Sequence, residues 1–140
     1  MNISQPHDLL VKSALSHKEV MADLLRGRLP GKILKRLDLS TLRMEKRSFV
    51  SDNLRASHSD IVYSLKNGGK KGYIYLLLEA QSSYDKTMPI RLMEYNCRLW
   101  RMHQKNSKED AMPPVINLVL YSGKNPYPGP KTLLDCLQNP

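Results

Sequence analysis

Apolar residues recur at helical spacing over positions 7–26, where Leu9, Leu10, Val11, Ala14, Leu15, Val20, Met21, Leu24 and Leu25 follow a 3.6-residue period that Ser16 and His17 dent. Gly27 and Pro30-Gly31 punctuate this first helix. Residues 33–37 then read as a short helical turn, and 41–50 (TLRMEKRSFV) alternate as a first strand. Two runs rich in β-branched and aromatic residues follow, 60–66 (DIVYSLK) and 73–81 (YIYLLLEAQ), joined by Asn67-Gly68-Gly69-Lys70-Lys71-Gly72. This is a hairpin pattern. Positions 73–78 are apolar without interruption, which predicts a strand buried on both faces. Residues 88–105 read as a second long helix, with Pro89 tolerated in its first turn. On it Arg91, Glu94, Arg98, Arg101 and Lys105 form one mostly basic stripe, while Ile90, Met93, Cys97 and Trp100 share an apolar face. A last apolar strand, 115–121 (VINLVLY), ends at Ser122-Gly123, and an irregular tail rich in proline follows. The predicted order is α-β-β-β-α-β, an α/β (α+β) chain.

Length and composition bound what such a chain does. With 140 residues and 41% hydrophobic content it fills one domain with one core, and it is neither disordered nor collagen-like. Its 22 Lys+Arg against 13 Asp+Glu give a formal charge of +9, which favours a polyanionic partner such as DNA. The tract 26–47 concentrates that asymmetry in Arg26, Arg28, Lys32, Lys35, Arg36, Arg43, Lys46 and Arg47, a backbone-binding surface or a solvated face. Cys97 and Cys136 lie far apart and read as free thiols of a reducing cytoplasm. No 18-residue apolar window and no secretory leader pattern is present, so a cytoplasmic protein without a membrane partner is expected. His7, His17, His58 and His103 lack metal-site spacing, and there is neither a Gly-rich phosphate loop nor a GxSxG elbow.

The chemistry resides in the hairpin. With the turn centred between Gly69 and Lys70, Asp60 faces Glu79 directly across the strand pair, and Gln81 projects from the same face as Glu79. Two opposed carboxylates repel and lose hydration near a buried strand, so a cation or a proton between them relieves the cost. Hard oxygen ligands of this kind suit Mg²⁺, or Mn²⁺, with Asp60 and Glu79 as the ligands. The competing reading leaves both acids hydrated at a solvent-facing corner.

At these residues the sequence resembles a known family. The segments 37–66, 72–95 and 113–128, the opening PHDLLVKSAL and the pair Leu29-Pro30 are similar to the Rpn recombination-promoting nucleases, also called YhgA-like. The resemblance implies a PD-(D/E)XK nuclease domain over residues 1–140, with a restriction-endonuclease-like core in which a central mixed sheet is flanked by helices. It further implies a Mg²⁺-dependent DNA endonuclease tied to recombination or mobile elements. Asp60 matches the metal-binding aspartate, Glu79 the acid of the ExQ motif, and Gln81 stands where the wider superfamily has lysine. Related nucleases often add a ligand from a helix acid, a place that Glu19 or Asp23 on the first helix would fill, although the commoner reading of such residues is an exposed helix acid. Family members often read EHQS where this chain has Glu79-Ala80-Gln81-Ser82, a change that alternation sends to the opposite face. Members are usually longer, which implies a chain that keeps the catalytic core and lacks a C-terminal region. Two other roles fit the same residues: a weak or inactive DNA-binding paralogue, or a regulatory module that forms homo-oligomers or associates with a full-length relative.

Overall fold

The computed structural model describes residues 5–46, 60–79 and 85–138, of which residues 5–9 and 79 are described by their backbone alone. The chain runs α1 (Gln5–Leu15), α2 (Lys18–Arg28), α3 (Gly31–Leu34), β1 (Leu37–Met44), β2 (Asp60–Asn67), β3 (Lys70–Glu79), α4 (Met88–Asn106), β4 (Val115–Tyr121) and a closing 3₁₀ turn, Leu134–Cys136. The four strands form one mixed sheet in the order β1-β2-β3-β4. The first three are antiparallel neighbours, and β4 returns parallel to β3 after the α4 crossover.

Period-two alternation sorts the two cores. Ile61, Tyr63, Leu65, Ile74, Leu76 and Leu78 point to one face and pack with Leu15, Met21, Ala22 and Leu25 of α1 and α2. Val62, Tyr73, Tyr75 and Leu77 point to the other and pack with Met88, Tyr95 and Leu99 of α4. Every residue from Tyr73 to Leu78 is buried, as an apolar run between two helical layers requires. β4 forms one edge of the sheet, and all seven of its residues are half-buried.

Three elements differ from the sequence expectation. The first helix is two: Ser16 Oγ donates to the Lys12 carbonyl at 2.7 Å, and the helix stops there before restarting at Lys18. The first strand begins at Leu37 rather than Thr41, because Leu37 extends the sheet by pairing with Asn67. Its register shifts between Asp38 and Arg43, and at that irregularity the Thr41 hydroxyl accepts from the Lys66 amide at 2.9 Å while donating to the Asp38 carbonyl. Positions 47–50 of the expected strand lie outside the described residues. On α4 the sheet-facing stripe is Met88, Leu92, Tyr95, Asn96, Leu99 and His103, whereas Ile90, Met93 and Cys97 are exposed and Trp100 is half-buried. The helix carries two apolar stripes, and the one whose Tyr95 stacks on Tyr75 of the sheet turns inward. His103 is buried with its Nε2 unpartnered.

The turn sets the register of the hairpin. Gly68 and Gly69 have φ of +62° and +81°, the pair of left-handed conformations that a two-residue type I′ turn needs. Its centre lies between the glycines, one residue earlier than expected, because Lys70 with a Cβ is costly in that conformation while glycine is not. Asp60 therefore pairs with Leu77, and the expected direct pairing of Asp60 with Glu79 is corrected to a diagonal one.

Candidate functional site

The shift from Glu79 to Leu77 is two residues, and strand parity repeats every two. Position 79 thus stays on the α4 face of the sheet, the face that carries Asp60 and Leu77. Diagonal neighbours of this kind are about 7–8 Å apart, within reach of longer side chains. Glu79 is the last residue of β3 and pairs with Tyr121 of β4. The candidate site therefore gathers where β2 starts, β3 and β4 end, and α4 begins. Gln81 lies outside the described residues.

Asp60 is half-buried, and Tyr75 donates its hydroxyl proton to Asp60 Oδ2 at 3.3 Å. Tyr75 is itself stacked on Tyr95 of α4, with ring centroids 3.7 Å apart and an interplanar angle of 16°. Both rings are fully buried. The Tyr95 hydroxyl is buried without a hydrogen-bond partner. Burial pushes its pKa up, with Tyr75 and the nearby Asp60 carboxylate adding to the effect, so Tyr95 keeps its proton. Neither tyrosine was singled out by sequence reasoning. The available signal was the parity of Tyr75 with Leu77 and Glu79, together with the Leu92, Tyr95, Leu99 spacing on α4.

Further contacts fix the mouth of α4. Asp85 Oδ1 accepts from the Thr87 amide at 2.7 Å and the Thr87 hydroxyl at 2.9 Å, and Asp85 Oδ2 lies 3.8 Å from Arg91. Tyr127 donates to the Asp85 carbonyl at 3.0 Å and packs edge-on against Tyr121. At the other end of the helix Trp100 Nε1 donates to the Pro113 carbonyl at 2.8 Å, anchoring the return into β4.

Glu19 and Asp23 are exposed on α2, the helix packed on the face opposite Tyr75, and Asp23 is ion-paired with Arg26 at 2.9 Å. Among the described residues no three His, Cys, Asp or Glu side chains gather into a metal cage. Among the described side chains the oxygens at this corner are the Asp60 carboxylate and the unpartnered Tyr95 hydroxyl, with position 79 diagonal to Asp60 on the same face. Such a set fits an open Mg²⁺ site, which takes one or two carboxylates and keeps several waters. Of the basic tract, Arg26, Arg28, Lys32, Lys35, Arg36, Arg43 and Lys46 are all exposed, and Arg47 lies outside the described residues. Arg43 pairs with Ser64 across β1 and β2, and the Glu45 amide donates to the Val62 carbonyl at 2.8 Å, so the basic end of β1 runs beside the start of β2. No helix is long and apolar enough to cross a membrane among the described residues.

Comparison with known proteins places the chain. Residues 5–140 match the family model described as "Putative transposase, YhgA-like". The chain is 39% identical over 138 residues to "Recombination-promoting nuclease RpnD" of Escherichia coli O157:H7, an alignment covering 98% of this chain and 53% of that protein. It is 37% identical over 138 residues to "Recombination-promoting nuclease RpnA" of Escherichia coli (strain K12), covering 98% and 47%. It is equally similar, 38% over 138 residues, to "Inactive recombination-promoting nuclease-like protein RpnE" of the same strain, covering 98% and 46%. The chain spans about half the length of these curated relatives. No solved structure matches it. With a family model matched over nearly the whole chain and relatives above the one-third identity level aligned along it, the chain belongs to the YhgA-like family that includes the recombination-promoting nucleases.

Proposed function

We propose that the chain is a metal-dependent DNA endonuclease of the PD-(D/E)XK type, acting in recombination or on mobile elements. The observation that carries the reading is the shared face of Asp60 and position 79 at one corner of the sheet, beside an exposed basic surface, in a chain whose relatives are named nucleases. In this reading Asp60 and Glu79 hold Mg²⁺ or Mn²⁺, and Gln81 orients the attacking water. Once bound, the ion supplies an acidified water and charge stabilisation at the phosphodiester. Asp60 contributes a carboxylate oriented by Tyr75. Gln81 offers an amide that aligns a nucleophile without adding positive charge. Arg43 on β1 and Lys46 just beyond its end neutralise backbone phosphates and draw the duplex toward the site.

Plasmid cleavage in Mg²⁺ or Mn²⁺ tests the reading. The unaltered chain cuts, and Asp60→Ala and Glu79→Ala each lower the rate by at least about a hundredfold, the scale of losing one transition-state electrostatic contact. Undiminished cutting by either variant removes that residue from the mechanism.

A second reading is favoured by one observation: the chain is as similar to a relative named inactive as to those named nucleases. Here the fold is a DNA-binding or regulatory module in a reducing cytoplasm, working alone, as an oligomer or beside a longer relative. It predicts duplex binding that weakens steeply with salt and no cleavage at any metal concentration.

A further inference from the structure

The Asp60 carboxylate has a dedicated support that the family resemblance does not mention. Tyr75 lies on the same sheet face as Asp60 and donates to its Oδ2 at 3.3 Å. The phenol ring is 1% exposed and clamped by the parallel ring of Tyr95, 2% exposed, at 3.7 Å. A ring gripped on β3 and by a partner on α4 has little freedom to move its hydroxyl. Burying two phenol oxygens costs desolvation that two phenylalanines avoid, and one of the two, Tyr95, has no hydrogen-bond partner to offset it. Packing alone therefore does not account for hydroxyls at this place.

We propose that Tyr75 is a positioning residue for the proposed metal site: it engages Oδ2 of Asp60 and so holds the carboxylate in the rotamer that presents its other oxygen to the ion. This deepens the function proposed above and rests on that reading. Hydrogen bonds that orient ligating carboxylates contribute about 10–100-fold to metal affinity.

Isothermal titration of the 140-residue chain with Mn²⁺ alone tests this, comparing Tyr75→Phe, Tyr63→Phe and Asp60→Asn. Tyr75→Phe keeps the stacked ring and removes only the oxygen. Tyr63→Phe removes a buried phenol oxygen of the same kind from the opposite face of the same sheet, where it bonds Leu15. The expected result is Mn²⁺ affinity about tenfold weaker for Tyr75→Phe, unchanged within about twofold for Tyr63→Phe and lost for Asp60→Asn. A matching readout is cleavage, in which Tyr75→Phe raises the Mn²⁺ concentration for half-maximal rate about tenfold while the rate at saturating Mn²⁺ falls less. An unchanged affinity in Tyr75→Phe, or an equal loss in Tyr63→Phe, overturns the positioning role. Full Mn²⁺ affinity in Asp60→Asn instead overturns the metal site itself, so the two failures are told apart.

Discussion

Two buried tyrosines on neighbouring strands do different work. Tyr75 serves the α4 face, while Tyr63 on the other face is fully buried and donates to the Leu15 carbonyl at 2.6 Å, joining the middle of β2 to the end of α1. Removing that oxygen leaves the buried Leu15 carbonyl without its donor. Tyr63→Phe is expected to lower the unfolding free energy by about 1–3 kcal/mol, measured by urea denaturation. Burial, with the charge of Glu19 adding, pushes the Tyr63 hydroxyl from 10.0 up to about 12. A raised folded value means that its share of stability is whole below the unfolded value and disappears as pH climbs through the folded one. The window is therefore pH 10 to about 12, and Tyr63→Phe flattens that part of the alkaline unfolding profile. None of this is legible from spacing, which places both tyrosines on inward faces but is silent on what a hydroxyl meets there.

At the scale of elements the hairpin shows what local pattern settles and what it leaves open. The two strands follow from their β-branched and aromatic composition, and the glycine pair marks the turn between them. Register needs one more piece of physics, namely which two residues occupy the turn. Gly68 and Gly69 do, because they are the adjacent pair in the loop that takes positive φ without cost. Gly69→Ala is expected to lose about 1–2 kcal/mol from that conformation, since its new Cβ meets nothing within 4 Å and strain is the whole effect. Gly68→Asn is tolerated better, because asparagine visits this region, although its Cβ meets the flexible Arg36 guanidinium at 3.0 Å. Urea midpoints of the two variants check the order. The α4 helix teaches a related lesson. Its length and start were legible, but the choice between two apolar stripes was made by the Tyr75–Tyr95 stack, a contact between elements 20 positions apart. The break at Ser16 was marked in the pattern as a dent, and back-bonding of a serine hydroxyl made it a full stop.

At the scale of the whole molecule, helices on both faces of one sheet leave the candidate corner at a strand end, where β2, β3 and α4 come together. The expectation that Asp60 and position 79 share a face survives the corrected turn because an error of two in register preserves parity; an error of one places position 79 on the opposite face. The basic surface was legible as charge, and the fold adds that its β1 end runs beside Asp60's strand. The edge position of β4 was not legible, because VINLVLY reads like a central strand and only the sheet order shows that, among the described residues, no strand pairs with its other side.

That unpaired side has a measurable signature in solution. Along β4 every second amide is directed away from β3, where no described strand accepts it, while its neighbours are locked in the ladder. Deuterium uptake resolved residue by residue is expected to alternate fast and slow from Val115 to Tyr121, whereas β3, enclosed by a strand on each side, exchanges slowly throughout. Adding another strand there would erase the alternation, and no lysine or proline guards the seven positions against it.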